Sequence, residues 1–193
     1  MHDLTAAPPV PPTATAPRTA GRWMLTFVGF PIGGLTASFV AGPVDSAGAA
    51  LLGGAVTGAI LGAVQAWGLG RRRPPATQWI RATALGLAVG LAVGAAAVDY
   101  RTSLSALALQ GAVCGATVGI GQALILRARL GRLALAWPPV LGLIWALGWA
   151  ITTAIGVEVD EQFTVFGSSG AVVVTALTVI LPLTLRRTEG TTS

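Results

Sequence analysis

The sequence predicts an all-α polytopic membrane protein, six transmembrane helices laid out as three tandem helical hairpins. Three observations lead there. The 193 residues are 53% hydrophobic and only 10% charged, with a mean hydropathy of +0.74, whereas a soluble domain carries about a quarter charged residues to cover its surface. Six apolar runs each reach the ~20 residues a helix needs to cross a ~30 Å hydrocarbon layer. Finally, parts of the chain match one another at a long, regular spacing.

The runs form a membrane domain over residues 23–187, with spans at about 23–41, 47–69, 79–98, 104–126, 133–157 and 163–185. None carries a charge away from its ends. Arg81, near the start of the third, is placed to snorkel to the headgroups. Residues 1–22 are rich in Ala, Pro and Thr between Ala6 and Pro17, with no helical period, and read as a disordered cytoplasmic tail. Residues 188–193 read as a short cytoplasmic tail. A signal peptide would also place Arg18 and Arg22 before an apolar run, but this run exceeds the about 7–15 residues of such a core, so the first span is read as uncleaved.

The charges then assign the sides. Arg18 and Arg22 precede the first span, Arg71, Arg72 and Arg73 follow the second, Arg127, Arg129 and Arg132 the fourth, and Arg186 and Arg187 the sixth. The alternate loops hold Asp45, then Asp99 with Arg101, then Glu158, Asp160 and Glu161. Short arginine-rich loops stay in the cytoplasm, so both termini are expected there, in a cell (plasma) membrane of bacterial inner-membrane type. Trp23, Trp67, Trp79 and Trp137 fall at the predicted cytoplasmic ends and read as interfacial anchors. A pI near 11.3 would suit nucleic acid. The basic residues, all arginine, lie between apolar runs instead, so the expected partner is the lipid bilayer and no nucleic acid.

Self-comparison gives the internal repeat. Gly54-Ala55-Val56-Thr57-Gly58-Ala59-Ile60-Leu61-Gly62-Ala63-Val64-Gln65-Ala66 matches Gly111-Ala112-Val113-Cys114-Gly115-Ala116-Thr117-Val118-Gly119-Ile120-Gly121-Gln122-Ala123. A third copy starts at Gly170-Ala171-Val172 but carries Val174, Thr178 and Leu181 where the others have two glycines and the glutamine, and Pro182 follows. Val-Asp pairs precede the copies at Val44-Asp45, Val98-Asp99 and Val159-Asp160. All copies run in one direction, which is a parallel repeat about an axis along the membrane normal. At 100° per residue, Gln65 returns to within about 20° of Gly54 after three turns, so Gly54, Gly58, Gly62 and Gln65 share a stripe, as do Gly111, Gly115, Gly119 and Gln122. Gly86, Gly90 and Gly94 form a further ladder. Such ladders let helix backbones approach closely, and left exposed they would be contacts for a membrane-protein partner or a homo-oligomer.

This organisation resembles a loose set of uncharacterised bacterial multi-spanning membrane proteins with repeated G-A-x-x-G-x-x-x-G-x-x-Q helical hairpins ending in arginines. The resemblance covers most of residues 47–187. The motif is one of packing, and the resemblance implies no activity.

Gln65 and Gln122 are the candidate polar sites, as interhelical hydrogen bonds or as ligand contacts. Asp45, Asp99 and Asp160 are expected to cap the helices that follow them and to stay solvated, and Glu158, Asp160 and Glu161 to form a solvated loop. Gly167-Ser168-Ser169-Gly170 resembles the G-x-S-G of intramembrane serine proteases, but the only histidine is His2, in the tail assigned to the opposite side. A small-residue turn and helix start is expected there. Trp145 and Trp149, one turn apart, are expected to face lipid or to pack into glycine-lined grooves. Pro138 and Pro139 belong in the first turn of the fifth span, where a missing N–H costs little. Cys114, alone in the chain, offers no disulfide and no cysteine metal site.

Coupled carriers usually place ionisable residues within the bilayer. This chain places none there, and phosphate loops, zinc motifs and heme ligands are absent from the sequence. An enzyme is not expected, and no cofactor or metal. The expected role is a non-catalytic scaffold or an accessory subunit of a membrane complex. The alternative is a small transporter or channel for a neutral or lipid-like solute.

Overall fold

The structure is a computed structural model and describes residues 16–70, 74–156, 165 and 167–190, with side chains to Arg187. His2, Arg71, Arg72, Arg73, Glu158, Val159, Asp160 and Glu161 lie outside the described residues. The order is α1 Ala16–Met24, a 3-10 turn Leu25–Val28, α2 Gly29–Ala41, α3 Ala47–Leu69, α4 Ala76–Ala97, α5 Leu104–Leu130, a 3-10 segment Gly131–Ala136, α6 Trp137–Ala154, α7 Ser168–Thr178 and α8 Ile180–Gly190. No strand occurs among the described residues.

Five stretches are long and apolar enough to cross a membrane: Ala16–Ala41, Ala47–Leu69, Ala76–Ala97, Leu104–Ala154 and Ser168–Arg187. The fourth has 51 residues, about twice what a bilayer needs, and it folds back on itself. Gly131 at φ +55° ends α5 in the left-handed region, which glycine enters without a Cβ penalty. α6 then runs antiparallel to α5, with Gly111 beside Trp145 and Trp149, Gly115 beside Leu141, and Gly119 beside Pro138.

The sequence punctuates these helices with proline. Proline lacks an N–H and its ring crowds the carbonyl four residues back. Pro31 falls four residues after Phe27, inside the 3-10 turn between α1 and α2. Pro182 falls four residues after Thr178, where α7 ends and the chain continues as α8. Pro138 and Pro139 sit at the start of α6, as expected. The helix before the first apolar run begins at Ala16, so the tail read as residues 1–22 is helical from residue 16 onward. Likewise α8 carries the last helix to Gly190, past the expected start of the C-terminal tail. In both cases the helical hydrogen bonds run on beyond the apolar segment.

Two loop expectations are corrected. α3 and α5 are capped by Ser46 and Ser103, which accept from the amides of Ala49 (3.3 Å) and Ala106 (3.4 Å). Asp45 sits one residue ahead of the cap. Asp99 ends the preceding helix α4 instead, at φ +52°. The Val-Asp pairs at Val44 and Val98 therefore do not occupy equivalent places. The shared feature is a left-handed residue closing the helix, at Gly42 (φ +72°), Asp99 and Gly156 (φ +79°). Aspartate tolerates that region better than most side chains.

The helices pack in chain order, and α1 and α2 also meet α7 and α8, so first and last elements are neighbours. Leu61, Leu87, Leu91, Leu107, Val118 and Leu126 fill the interior, with Phe30 edge-on to Trp145 at 5.7 Å. The outside is apolar too: Phe39, Leu85, Leu124 and Leu143 are exposed. Helices apolar on all faces belong in a large core or a bilayer.

Candidate functional site

Close backbone approach comes first, because it decides which side chains can meet. A Cβ added at Gly58 would lie 2.7 Å from Ala84 Cα, and one at Gly54 2.7 Å from Ala88 Cα. At Gly62 it would lie 3.0 Å from Ile80 Cα. These three glycines therefore hold α3 against α4. Gly86 and Gly90 approach Val118 and Cys114, and Gly94 approaches Gln110, which seats α4 on α5. Gly111, Gly115 and Gly119 seat α5 on α6. A Cβ at Gly115 would stand 2.5 Å from the Leu141 carbonyl oxygen. Every ladder glycine named from the sequence is thus occupied by a neighbouring helix of the same chain. Gly29 and Gly33 add another ladder, against Leu61 and Thr57 of α3, and Thr57 Oγ1 donates to the Gly33 carbonyl at 3.2 Å. Sequence reasoning missed this pair. A glycine at Gly29 followed four residues later by one at Gly33 was the available signal.

With the backbones close, a polar cluster assembles at one end of the bundle. Trp79, in the first turn of α4, donates its indole N–H to Gln65 Oε1 at 3.3 Å. Trp137, at the start of α6, donates to Gln122 Oε1 at 2.8 Å. Gln122 Nε2 donates to Thr83 Oγ1 at 3.1 Å and to Gln65 Oε1 at 3.3 Å. Thr83 Oγ1 in turn donates to the Trp79 carbonyl at 2.9 Å. The structure thus joins Gln65 and Gln122, which lie on α3 and α5, across α4. Gln122 is 1% exposed and uses both amide groups. Gln65 is half-buried.

The first and last elements make a related contact. Trp23 Nε1 donates to the Thr175 carbonyl at 3.1 Å and to Thr178 Oγ1 at 3.2 Å. Trp23, Trp79 and Trp137 are therefore buried donors, at 1%, 0% and 8% exposure, and not interfacial anchors. For Trp79 and Trp137 the reason is the glycine spacing, which draws α3 to α4 and α5 to α6 closely enough for a glutamine to reach each indole. Trp67 alone of the four stays exposed, with the Arg22 guanidinium 4.6 Å above its ring, a cation–π distance.

Trp145 and Trp149 are buried against Gly111, one of the two placements expected of them. Gly167 precedes α7, which begins at Ser168. Gln110 is the residue that sequence reasoning overlooked. It is 1% exposed, and neither its Nε2 nor its Oε1 has a partner. A buried amide without partners is costly, by about 1–3 kcal/mol per unsatisfied group. Its signal was a glutamine inside an apolar run, directly before Gly111.

The indole–amide–hydroxyl cluster contains no side chain that ionises near neutral pH, so it offers hydrogen bonds and neither charge nor proton transfer. Among the described residues no three His, Cys, Asp or Glu side chains gather. No protein-family model, curated protein or solved structure matches this chain.

Proposed function

We propose that the chain is a multi-pass membrane protein acting as a non-catalytic scaffold or accessory subunit of a membrane complex. Its six crossings form three tandem hairpins closed into a ring, with both termini on the cytoplasmic side of a bacterial-type cell membrane. The antiparallel return of α6 along α5 supports counting the fourth apolar stretch as two crossings. The threefold reading is supported by the common role of Trp23, Trp79 and Trp137 as donors to the neighbouring helix. The left-handed closures at Gly42, Asp99 and Gly156 support it as well. Arginine-rich short loops support the orientation.

The observation that carries the role is the consumption of polar groups. Gln65 and Gln122 satisfy one another and the two indoles, Phe30 and Trp145 fill the middle, and the outer face is apolar. That pattern suits a rigid body read from outside by lipid or by another membrane protein. The ladders are spent inside the chain, so a partner would meet the apolar outer side chains. A mass spectrum of the gently solubilised protein tests the role, with a stoichiometric partner polypeptide as the expected result. A neutral solute retained without any partner would favour the second reading, a small transporter or channel. Gln110, with an unused buried amide, is the observation on that side. For topology, a reporter fused at Asp160 is expected outside the cell; cytoplasmic activity there would sink the third hairpin and the even number of crossings.

A further inference from the structure

We infer that the outer groove between α4 and α5 binds an anionic phospholipid of the surrounding bilayer, with Arg81 and Gln78 at its phosphate and one acyl chain along the groove. The inference rests on the membrane reading above. The groove has a volume of about 580 Å³ and an almost wholly apolar lining, with Gln78 and Arg81 at one end and Leu85 and Val89 further along α4. From Gln78 to Val89 a helix rises about 16 Å, close to half of a ~30 Å hydrocarbon layer, which is the depth of one leaflet. The floor is made of small residues. Gly121 lies so near Ala82 that an added Cβ would be 3.0 Å from its carbonyl oxygen, and Leu124, 70% exposed, forms a wall.

The charge at the mouth points to the kind of lipid. Arg81 is exposed. The described acidic side chains, Asp45 and Asp99, lie at the opposite ends of the helices. Asp99 follows the far end of α4, about 27 Å from Arg81 at helical rise. The arginine therefore has no carboxylate to pair with among the described residues, and a phosphate is the matching partner. A basic side chain at the cytoplasmic end of an apolar groove is a recurring arrangement for anionic headgroups. Two residues that make the groove are departures from the matched segments. With Trp23, Trp79 and Trp137 aligned, Leu25 and Pro139 stand where α4 has Arg81. Val64 stands where α5 has Gly121. The close approach of α5 to Ala82 accounts for Gly121, whereas neither the glycine ladders nor the indole bonds use Arg81. A second copy of the chain would have to enclose Arg81 against apolar surface, which is costly.

The test uses the full chain in mild detergent, titrated with phosphatidylglycerol or with phosphatidylcholine and read by native mass spectrometry. One phosphatidylglycerol should be retained with about fivefold preference, the effect of one basic side chain at a membrane surface. R81Q should bring retention down to the phosphatidylcholine level while R81K preserves it. L124W, at an exposed wall, should lower retention of phosphatidylglycerol with Arg81 intact. Equal retention of the two lipids, unchanged retention in R81Q, or a dimer broken by L124W would each overturn the site. Failure of the membrane reading is seen separately, as release of the protein from membranes by an alkaline wash.

Discussion

The pair of helix hairpins from α3 to α6 and the junction of α1 with α7 and α8 use the same donor in different ways. Trp79 and Trp137 give their indole protons to glutamine amides, and those amides bond each other across α4. Trp23 gives its proton to a threonine hydroxyl and a backbone carbonyl beside a helix interrupted by Pro182. Leu181 stands where the glutamine would be, and next to it α5, α6 and α8 leave an apolar groove of about 270 Å³. A tryptophan thus closes both regions, at the start of α4 and α6 in one and near the end of α1 in the other, but only the first has a network behind it. The lesson is that the indole needs an acceptor at the right depth and not a particular residue, whereas coupling between neighbouring hairpins needs the amide.

The two regions should differ most at the glycines. Gly115→Val should destabilise the bundle by about 3 kcal/mol or more, since its first added carbon already meets the Leu141 carbonyl oxygen. Val174, in the matching place of the third copy, is already accommodated and 1% exposed, so Val174→Ile should cost clearly less. Thermal unfolding in detergent, followed by tryptophan fluorescence, ranks the two. Equal losses would mean that α7 packs as tightly as α5.

The amide network comes next. Gln122→Leu removes bonds to Trp137, Thr83 and Gln65, and should cost about 1–2 kcal/mol. Gln65→Leu should cost less, because Gln65 is half-buried and water can replace part of what is lost. The double variant should insert normally but lose less than the sum, by about 0.5 kcal/mol or more. Strict additivity would dissolve the network into separate contacts.

At the other junction, Trp23→Phe removes the donor of both indole bonds and Thr178→Val the acceptor of one, and each should cost about 0.6–1 kcal/mol. Unlike Gln122→Leu, neither should alter the unfolding of variants at Gln65. If either does, the two regions communicate and are not independent. The smallest effect, a gain, is expected at Asp99, outside the bundle core. Asp99→Gly relieves a left-handed aspartate and should raise stability by about 0.5 kcal/mol, while Gly42→Ala and Gly156→Ala should lower it by about 1 kcal/mol. An Asp99→Gly variant that melts earlier would show that the aspartate side chain holds the turn.

Much of the fold was legible in the residues. Ala47–Leu69 falls on the expected span end for end, because Ser46 and Gly70 bracket an unbroken apolar run. The α4 and α5 ends drifted by a few residues, since polar side chains such as Thr77, Gln78 and Arg127 continue a helix as readily as they leave one. Gln65 and Gln122 stood out as polar residues on glycine stripes. What the stripes would touch, and so who bonds whom, was not legible. The tryptophans illustrate the gap: position in the chain suggested a membrane interface, and burial made them donors.

By itself the sequence determined the apolar lengths, the breaks between them and the glycine spacing, because those depend on hydropathy and backbone sterics within one segment. Only the tertiary structure decided that each ladder is used within the chain, that Gln122 reaches both Thr83 and Gln65, that Trp23 meets Thr178, and that Gln110 has no partner. These are long-range relations, and a hydrogen bond between residues 39, 57 or 155 positions apart follows from how helices are placed, which no single segment encodes.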